Sequence, residues 1–176
     1  MALRYALLGL IAEKSRHGYE IKKEFEGSVG FFWNAHLSQI YPELTKLEEE
    51  GLLSKELVIQ EERPNKALYT ITAKGNEELR KWLAEPIKPR QMKDESLLKI
   101  FFSKMIPKEK IIANIDGYKR HCQEELQTLK MIHKYTAGLE DPFPDFTVVN
   151  GIGHYELDIE WCDWVISKIR MWQDAQ

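Results

Sequence analysis

Ser38-Gln39-Ile40-Tyr41-Pro42-Glu43-Leu44-Thr45-Lys46-Leu47-Glu48-Glu49-Glu50-Gly51-Leu52-Leu53 is the stretch that decides the fold. Ile40, Leu44 and Leu47 recur at helical steps, Ser38 is a good N-cap residue, and Gly51 offers the left-handed conformation that closes a helix. Pro42 then has to lie in or near the first turn, because deeper in the helix it would forfeit a main-chain hydrogen bond and press its ring on the preceding turn. Past Gly51 the period drops to two. Leu57 and Ile59 alternate with Glu56, Val58 and Gln60, and Ala67, Tyr69 and Ile71 alternate with Leu68, Thr70 and Thr72, which predicts a β-hairpin. The intervening Glu61-Glu62-Arg63-Pro64-Asn65-Lys66 has turn chemistry at Pro64-Asn65 and basic side chains near the tip.

Working outward, Leu3, Leu7, Leu10 and Ile11 share one face of a first helix, which Ser15 to Gly18 breaks. Ile21, Phe25 and Val29 mark a second helix that Gly27 and Gly30 weaken, and Phe31, Phe32 and Trp33 form an aromatic connector. After the hairpin, Thr72 can cap a fourth helix bearing Leu79, Trp82 and Leu83, ended by Pro86 and Pro89. Three helices followed by a hairpin make a winged helix-turn-helix, whose third helix can enter the major groove of DNA. The chain therefore reads as mainly α with a small β-hairpin wing: a winged-helix domain over 1–85, a linker over 86–93 and a helical domain over 94–176.

In that second domain Asp94 can cap a helix repeating Leu97, Leu98, Phe101, Phe102 and Met105, and Pro107 stops it and opens another. Ile111, Ile115, Tyr118, Cys122, Leu126, Leu129 and His133 then run at helical steps to Gly138. Leu139 to Gly153, with two prolines and two glycines, reads as a loop before the pattern returns at Tyr155, Ile159, Cys162, Ile166 and Ile169. The two long apolar stripes exceed what the short helix can cover, which points to a second copy of the chain meeting Ile115, Cys122, Leu126, Leu129, Tyr155, Ile159, Cys162, Ile166 and Ile169.

Composition excludes more than it proposes. The chain has 176 residues, 43% hydrophobic and 30% charged, enough for a folded core. A formal net charge of -3 gives no compositional sign of a nucleic-acid binder, so any case for DNA rests on motifs. Cys122 and Cys162 stand alone in helical sequence and read as small buried hydrophobes. The apolar run Tyr5 to Ala12 is too short to span a membrane and precedes no cleavage site, so a cytoplasmic protein is expected. The five histidines lack metal-ligand spacing, Glu48, Glu49 and Glu50 splay around a helix, and no phosphate loop or nucleophile elbow occurs. Neither catalysis nor a metal or cofactor is expected.

Four ordered motifs carry a resemblance: Ala6-Leu7-Leu8-Gly9-Leu10, His17-Gly18-Tyr19-Glu20-Ile21, the stretch Ser38 to Leu53, and Leu68-Tyr69-Thr70-Ile71-Thr72-Ala73-Lys74-Gly75. Together they resemble the PadR family of transcriptional regulators. Asp94-Glu95-Ser96-Leu97-Leu98-Lys99 is similar to the virulence-activator-type helical domain of its larger members. The resemblance implies a homodimer joined through C-terminal helices and repression that a small molecule relieves. One departure is Gln39, where many relatives have glycine.

Candidate DNA contacts follow from the helix-entry geometry. Gln39 can pair bidentately with adenine, whereas Ser38, Tyr41, Pro42 and Lys46 on the same helix would position the protein on phosphates or base edges. Arg63, Asn65 and Lys66 belong to the wing, and Tyr19, Lys22 and Lys23 to the second helix beside the backbone. Packing is the alternative for Tyr41, and a solvated face for Lys22 and Lys23. His17 reads as a turn or packing residue. Trp161, Trp164 and Trp172 with Tyr155 would pack a core or interface, or line a pocket for a small aromatic or apolar effector. A winged helix that binds protein instead of DNA is the competing account, and an enzyme or ligand carrier a more distant one.

Overall fold

The apolar stripes and the hairpin appear in a computed structural model that describes residues 2–33, 35–58, 66–89 and 93–172. The chain divides into two compact units, Met1–Pro89 and Arg90–Gln176. The first contains α1 (Ala2–Glu13), β1 (Arg16–His17), α2 (Gly18–Gly27), a 3-10 turn (Val29–Phe31), α3 (Leu37–Glu49), β2 (Leu53–Val58), β3 (Lys66–Ile71) and α4 (Ala73–Leu83). The second contains α5 (Glu95–Phe101), a 3-10 turn (Ser103–Met105), α6 (Lys108–Thr136) and α7 (Phe143–Met171).

In the first unit Leu7, Ile11, Ile21, Phe25, Ile40 and Leu44 close one core with Leu53, Tyr69 and Leu79. Leu8 lies off the Leu3–Leu7 face yet is fully buried, because α1 touches α2, α3, α4 and β3 and so has more than one covered side. Tyr5 on α1 stacks on Trp82 of α4 with ring centroids 4.5 Å apart. The expected hairpin is present, with Leu53 opposite Ile71 and Val58 opposite Lys66. Its sheet has a third strand: β1 pairs with β3, Arg16 opposite Tyr69 and His17 opposite Leu68. The break at Ser15 to Gly18 is thus also the edge of the sheet, too short at two residues for any period to betray it.

Two joints show why the motifs have their residues. At the end of α3, Gly51 has φ 71°; Leu52 N–H donates to the Leu47 carbonyl and Gly51 N–H to the Glu48 carbonyl, both at 2.9 Å, the paired closure of a helix through a left-handed residue. Thr72 then ties α4 to this corner, its hydroxyl accepting from Gly75 N–H at 3.0 Å and donating to the Gly51 carbonyl at 2.8 Å. A Cβ on Gly75 would lie 2.1 Å from the Leu52 carbonyl oxygen, so only glycine fits.

The start of α3 differs from the expectation. Its N-cap is His36, not Ser38, and Pro42 is the sixth helical residue, inside the second turn. The box spacing from His36 to Gln39 sets the start: the His36 N–H donates to Gln39 Oε1 at 3.1 Å. Pro42 consequently gives no N–H to the Ser38 carbonyl, a loss the fold can bear because Ser38 is exposed and not in the core.

The second unit corrects the reading in three places. Asp94 caps α5 as expected, accepting from Ser96 and Leu97 N–H, but α5 ends at Phe101, and Phe102 and Met105 fall in the turn beyond it. The supposed loop from Leu139 to Gly153 is helical from Phe143. Pro144 sits in the first turn, where its missing N–H costs nothing, and Gly151 and Gly153, each about 1 kcal/mol less favourable than alanine inside a helix, are carried by the packing of α7. Third, the two apolar stripes cover each other. Lys108 donates to the Trp172 carbonyl, Tyr118 to Asp158 at 2.8 Å, Lys119 to Asp163 at 2.6 Å, and Lys130 pairs with Glu156 at 2.8 Å, so α6 and α7 run antiparallel along their length. Ile115, Cys122, Leu126, Leu129, Cys162 and Ile166 are buried between them within one chain, with Tyr155, Ile159 and Ile169 half-buried. These stripes therefore need no second copy to cover them.

Candidate nucleic-acid interface

α3 buries Ile40, Leu44 and Leu47, which turns the opposite side outward. Ser38, Pro42 and Thr45 recur there at steps of four and three, with Gln39, Tyr41 and Lys46 on its flanks, and all six are exposed. This is the polar side of a helix held rigidly by its core side, as groove entry needs. Thr45 was not among the candidates, although its spacing of seven from Ser38 would have found it. Its hydroxyl donates to the Tyr41 carbonyl at 3.2 Å.

Tyr41 combines the two roles weighed for it. It is 45% exposed, yet a Cβ on Gly18 would lie 2.8 Å from its ring. Gly18 thus lets the Tyr41 ring lie close over it without shifting, a link between two motifs that no periodicity reveals. The ring braces α3 on the first residue of α2 and presents one edge to solvent.

On α2, Tyr19 is 72% exposed and Lys23 is exposed, while Lys22 is half-buried and shares its charge with Glu26 at 3.5 Å. His17 is structural: its main-chain N–H donates to Glu20 Oε2 at 2.9 Å, and its Nδ1 lies 3.3 Å from the Ala67 carbonyl oxygen. The hydrogen bond from the His17 main chain holds the Glu20 carboxyl below the ordinary carboxylate range. Glu48 and Glu50, at the end of α3 and its C-cap, do splay, Glu48 toward Lys55 at 3.5 Å and Glu50 toward Arg4. In the wing, Lys66 is exposed at the start of β3, whereas Arg63 and Asn65 lie outside the described residues.

The second unit offers other chemistry. Ser96, Lys99, Ile100, Ile111, Tyr118 and Trp161 line an open cleft between α5, α6 and α7. Beneath it Tyr118 donates to Asp158, and burial pushes its hydroxyl well above the usual phenol range. Burial likewise raises the Cys162 thiol to about 11, so this cysteine is a packing residue and not a nucleophile. Trp164 and Trp172 are substantially exposed, at 59% and 42%. Among the described residues no group of three His, Cys, Asp or Glu side chains could hold a metal ion, and no helix is long and apolar enough to cross a membrane.

A polar-faced third helix braced on the second, beside a β-hairpin, defines a winged-helix DNA-binding protein. Residues 7–81 match the Transcriptional regulator PadR-like family and residues 92–170 match Virulence activator alpha C-term. The negative transcriptional regulator PadR of Bacillus subtilis is 32% identical over 96% of both chains. The same protein's crystal structure in complex with operator DNA superposes with a TM-score of 0.85 at 29% identity, covering 96% of this chain and 99% of that one. Its complex with p-coumaric acid gives 0.75 at 26% identity, covering 96% and 95%. The chain belongs to the PadR-like family of transcriptional regulators, and it is a DNA-binding regulator rather than an enzyme.

Proposed function

We propose that this protein is a cytoplasmic homodimeric repressor that reads a palindromic operator with α3 of each copy and releases it when a small aromatic or apolar molecule binds. The observation that carries the reading is the exposed face of α3: polar, braced by Tyr41 on Gly18, and flanked by Lys46. In the operator reading Ser38, Gln39, Tyr41, Pro42 and Lys46 face the major groove, Tyr19, Lys22 and Lys23 flank it, and Lys66 with Arg63 and Asn65 serves the wing.

The case for two copies moves from the α6 and α7 stripes to α5 and the turn after it. Leu98, Phe101, Phe102 and Met105 are between 53% and 80% exposed, a concentration of large apolar side chains that a monomeric protein rarely leaves in water. The effector reading draws on the likeness to a regulator solved with p-coumaric acid and on the cleft whose isoleucines, Tyr118 and Trp161 suit an aromatic ring beside Lys99.

Binding of the full-length protein to genomic duplex fragments tests the reading. Retention of particular fragments against excess random duplex, with affinity falling steeply with salt at about 0.9 in logarithmic slope per phosphate contact, is the expected result. Binding without fragment selection, or no binding, would replace it with a winged helix that engages protein.

A further inference from the structure

Gln39 is committed on one side before any DNA arrives. The His36 main-chain N–H donates to its Oε1 at 3.1 Å, and a main-chain N–H can be met only by an acceptor, so the chemistry fixes which end of the amide faces the helix. α2 uses the same device, with Glu20 accepting from the His17 N–H at 2.9 Å. A carboxylate has only acceptors left over, whereas the folded-back amide of Gln39, an exposed residue, still has an NH2 group to donate.

That asymmetry bears on which base can be read. Bidentate pairing with adenine needs the amide oxygen and nitrogen turned together to the base, to take the N6 proton and give one to N7. Guanine offers two adjacent acceptors, N7 and O6, which a single NH2 group can serve. Adenine offers N7 alone, with its own N6 donor opposing the second N–H, and thymine offers O4 beside a methyl group.

We propose that Gln39 is a specificity residue that reads its base through its NH2 group and selects guanine at its position in each half-site, its oxygen remaining turned to the helix cap. The inference rests on the DNA reading above and sharpens it. It also replaces the adenine pairing that the residue type alone suggests. Gln39 determines the start of α3 and the base preference with the two ends of one amide.

The test starts from duplexes of randomised sequence selected on the full-length protein, followed by single-base replacement in the selected site. A guanine facing Gln39 is expected, and its replacement by 7-deazaguanine, which lacks the N7 acceptor, should weaken wild-type binding about tenfold. Gln39→Glu keeps an acceptor for the His36 N–H and removes the donor, so it should match the wild type in thermal midpoint while losing the preference for guanine and the response to 7-deazaguanine. Gln39→Ala should lose both the preference and some helix stability. An adenine at that position whose 6-amino group is needed for tight binding, or a Gln39→Glu variant that still prefers guanine, would overturn the inference and leave the DNA reading intact. Failure to select any duplex would overturn both. The base-replacement arm uses wild-type protein and so does not depend on any variant folding.

Discussion

The two units differ in which helix they leave uncovered and in what that helix presents to solvent. Met1–Pro89 closes Leu7, Ile21, Phe25, Ile40 and Leu44 into one core and leaves polar side chains on the outward face of α3. In Arg90–Gln176, α6 and α7 bury each other's stripes, while α5 and its following turn leave Leu98, Phe101, Phe102 and Met105 in solvent. The polar face of α3 is a surface for recognition, whereas the run of large apolar side chains on α5 and its turn is surface that another chain can bury. Residues that hold each fold are thus distinct from those that act on partners, and substitution of either kind has a different expected outcome.

The largest effect is expected at Phe25, fully enclosed in the first core. Phe25→Ala should cost about 3 to 5 kcal/mol of stability, read from the urea midpoint, since the cavity cannot refill. A loss under 1 kcal/mol would mean that this core is not closed as described. Next comes the exposed surface of the second unit. Paired substitution of Phe101 and Met105 by aspartate should leave the helical signal nearly unchanged, shift sedimentation to the monomer, and lower operator affinity by about 100-fold or more as linked half-sites become independent. Collapse of the helical signal instead would place those side chains in the fold of one chain.

Gly18→Ala probes the brace. The new methyl group meets the Tyr41 ring at 2.8 Å, so the ring has to shift; operator affinity should fall about tenfold, with a stability loss of about 1 kcal/mol that urea titration would show. Equal loss in every sequence tested would fit repositioning of α3, and unchanged binding would remove Tyr41 from the interface. Lys66→Ala should act more evenly still, reducing the salt slope by about one with little change in sequence preference.

The smallest effect lies at the junction of α6 and α7. Asp145 accepts from Thr136 at 2.5 Å and from His133 at 2.7 Å. These hydrogen bonds, that of Thr136 foremost, hold its carboxyl below the ordinary range. A depressed folded-state pKa contributes stability above the unfolded value, near 4, and loses it as pH falls through the folded one. Wild type should therefore be slightly more stable than Asp145→Asn at pH 7, with the difference fading in acid below about pH 4. A difference that grows in acid would contradict this assignment.

How far these features were legible in the sequence depended on the kind of signal. Ile40, Leu44 and Leu47 and the alternation around Tyr69 repeat at a period, and the elements they mark are present with their faces as expected. The stretch before Tyr155 misled because proline and glycine vote for a loop locally, while burial of Val148 and the long packing of α6 on α7 outweigh them. The start of α3 was displaced because Ser38 is the better cap by type, whereas the Gln39 amide sets the cap at His36 through its own reach. Gly18 beneath Tyr41 and Gly75 beneath Leu52 could be quoted as motif letters, but their reason is a contact across the fold that spacing does not carry. Exposure of Phe101 and Met105 was equally hidden, because a stripe looks the same whether its own chain or a partner covers it.

In the proposed assembly two copies, joined through the second unit, present two α3 helices to one duplex. Sedimentation of the full-length protein with a selected operator duplex tests it most directly. A dimer at micromolar concentration is expected, with two chains on each duplex and half-sites related by a two-fold axis about 34 to 36 Å apart or a multiple of that. A folded monomer that binds a single asymmetric site as tightly as the complete operator would contradict it.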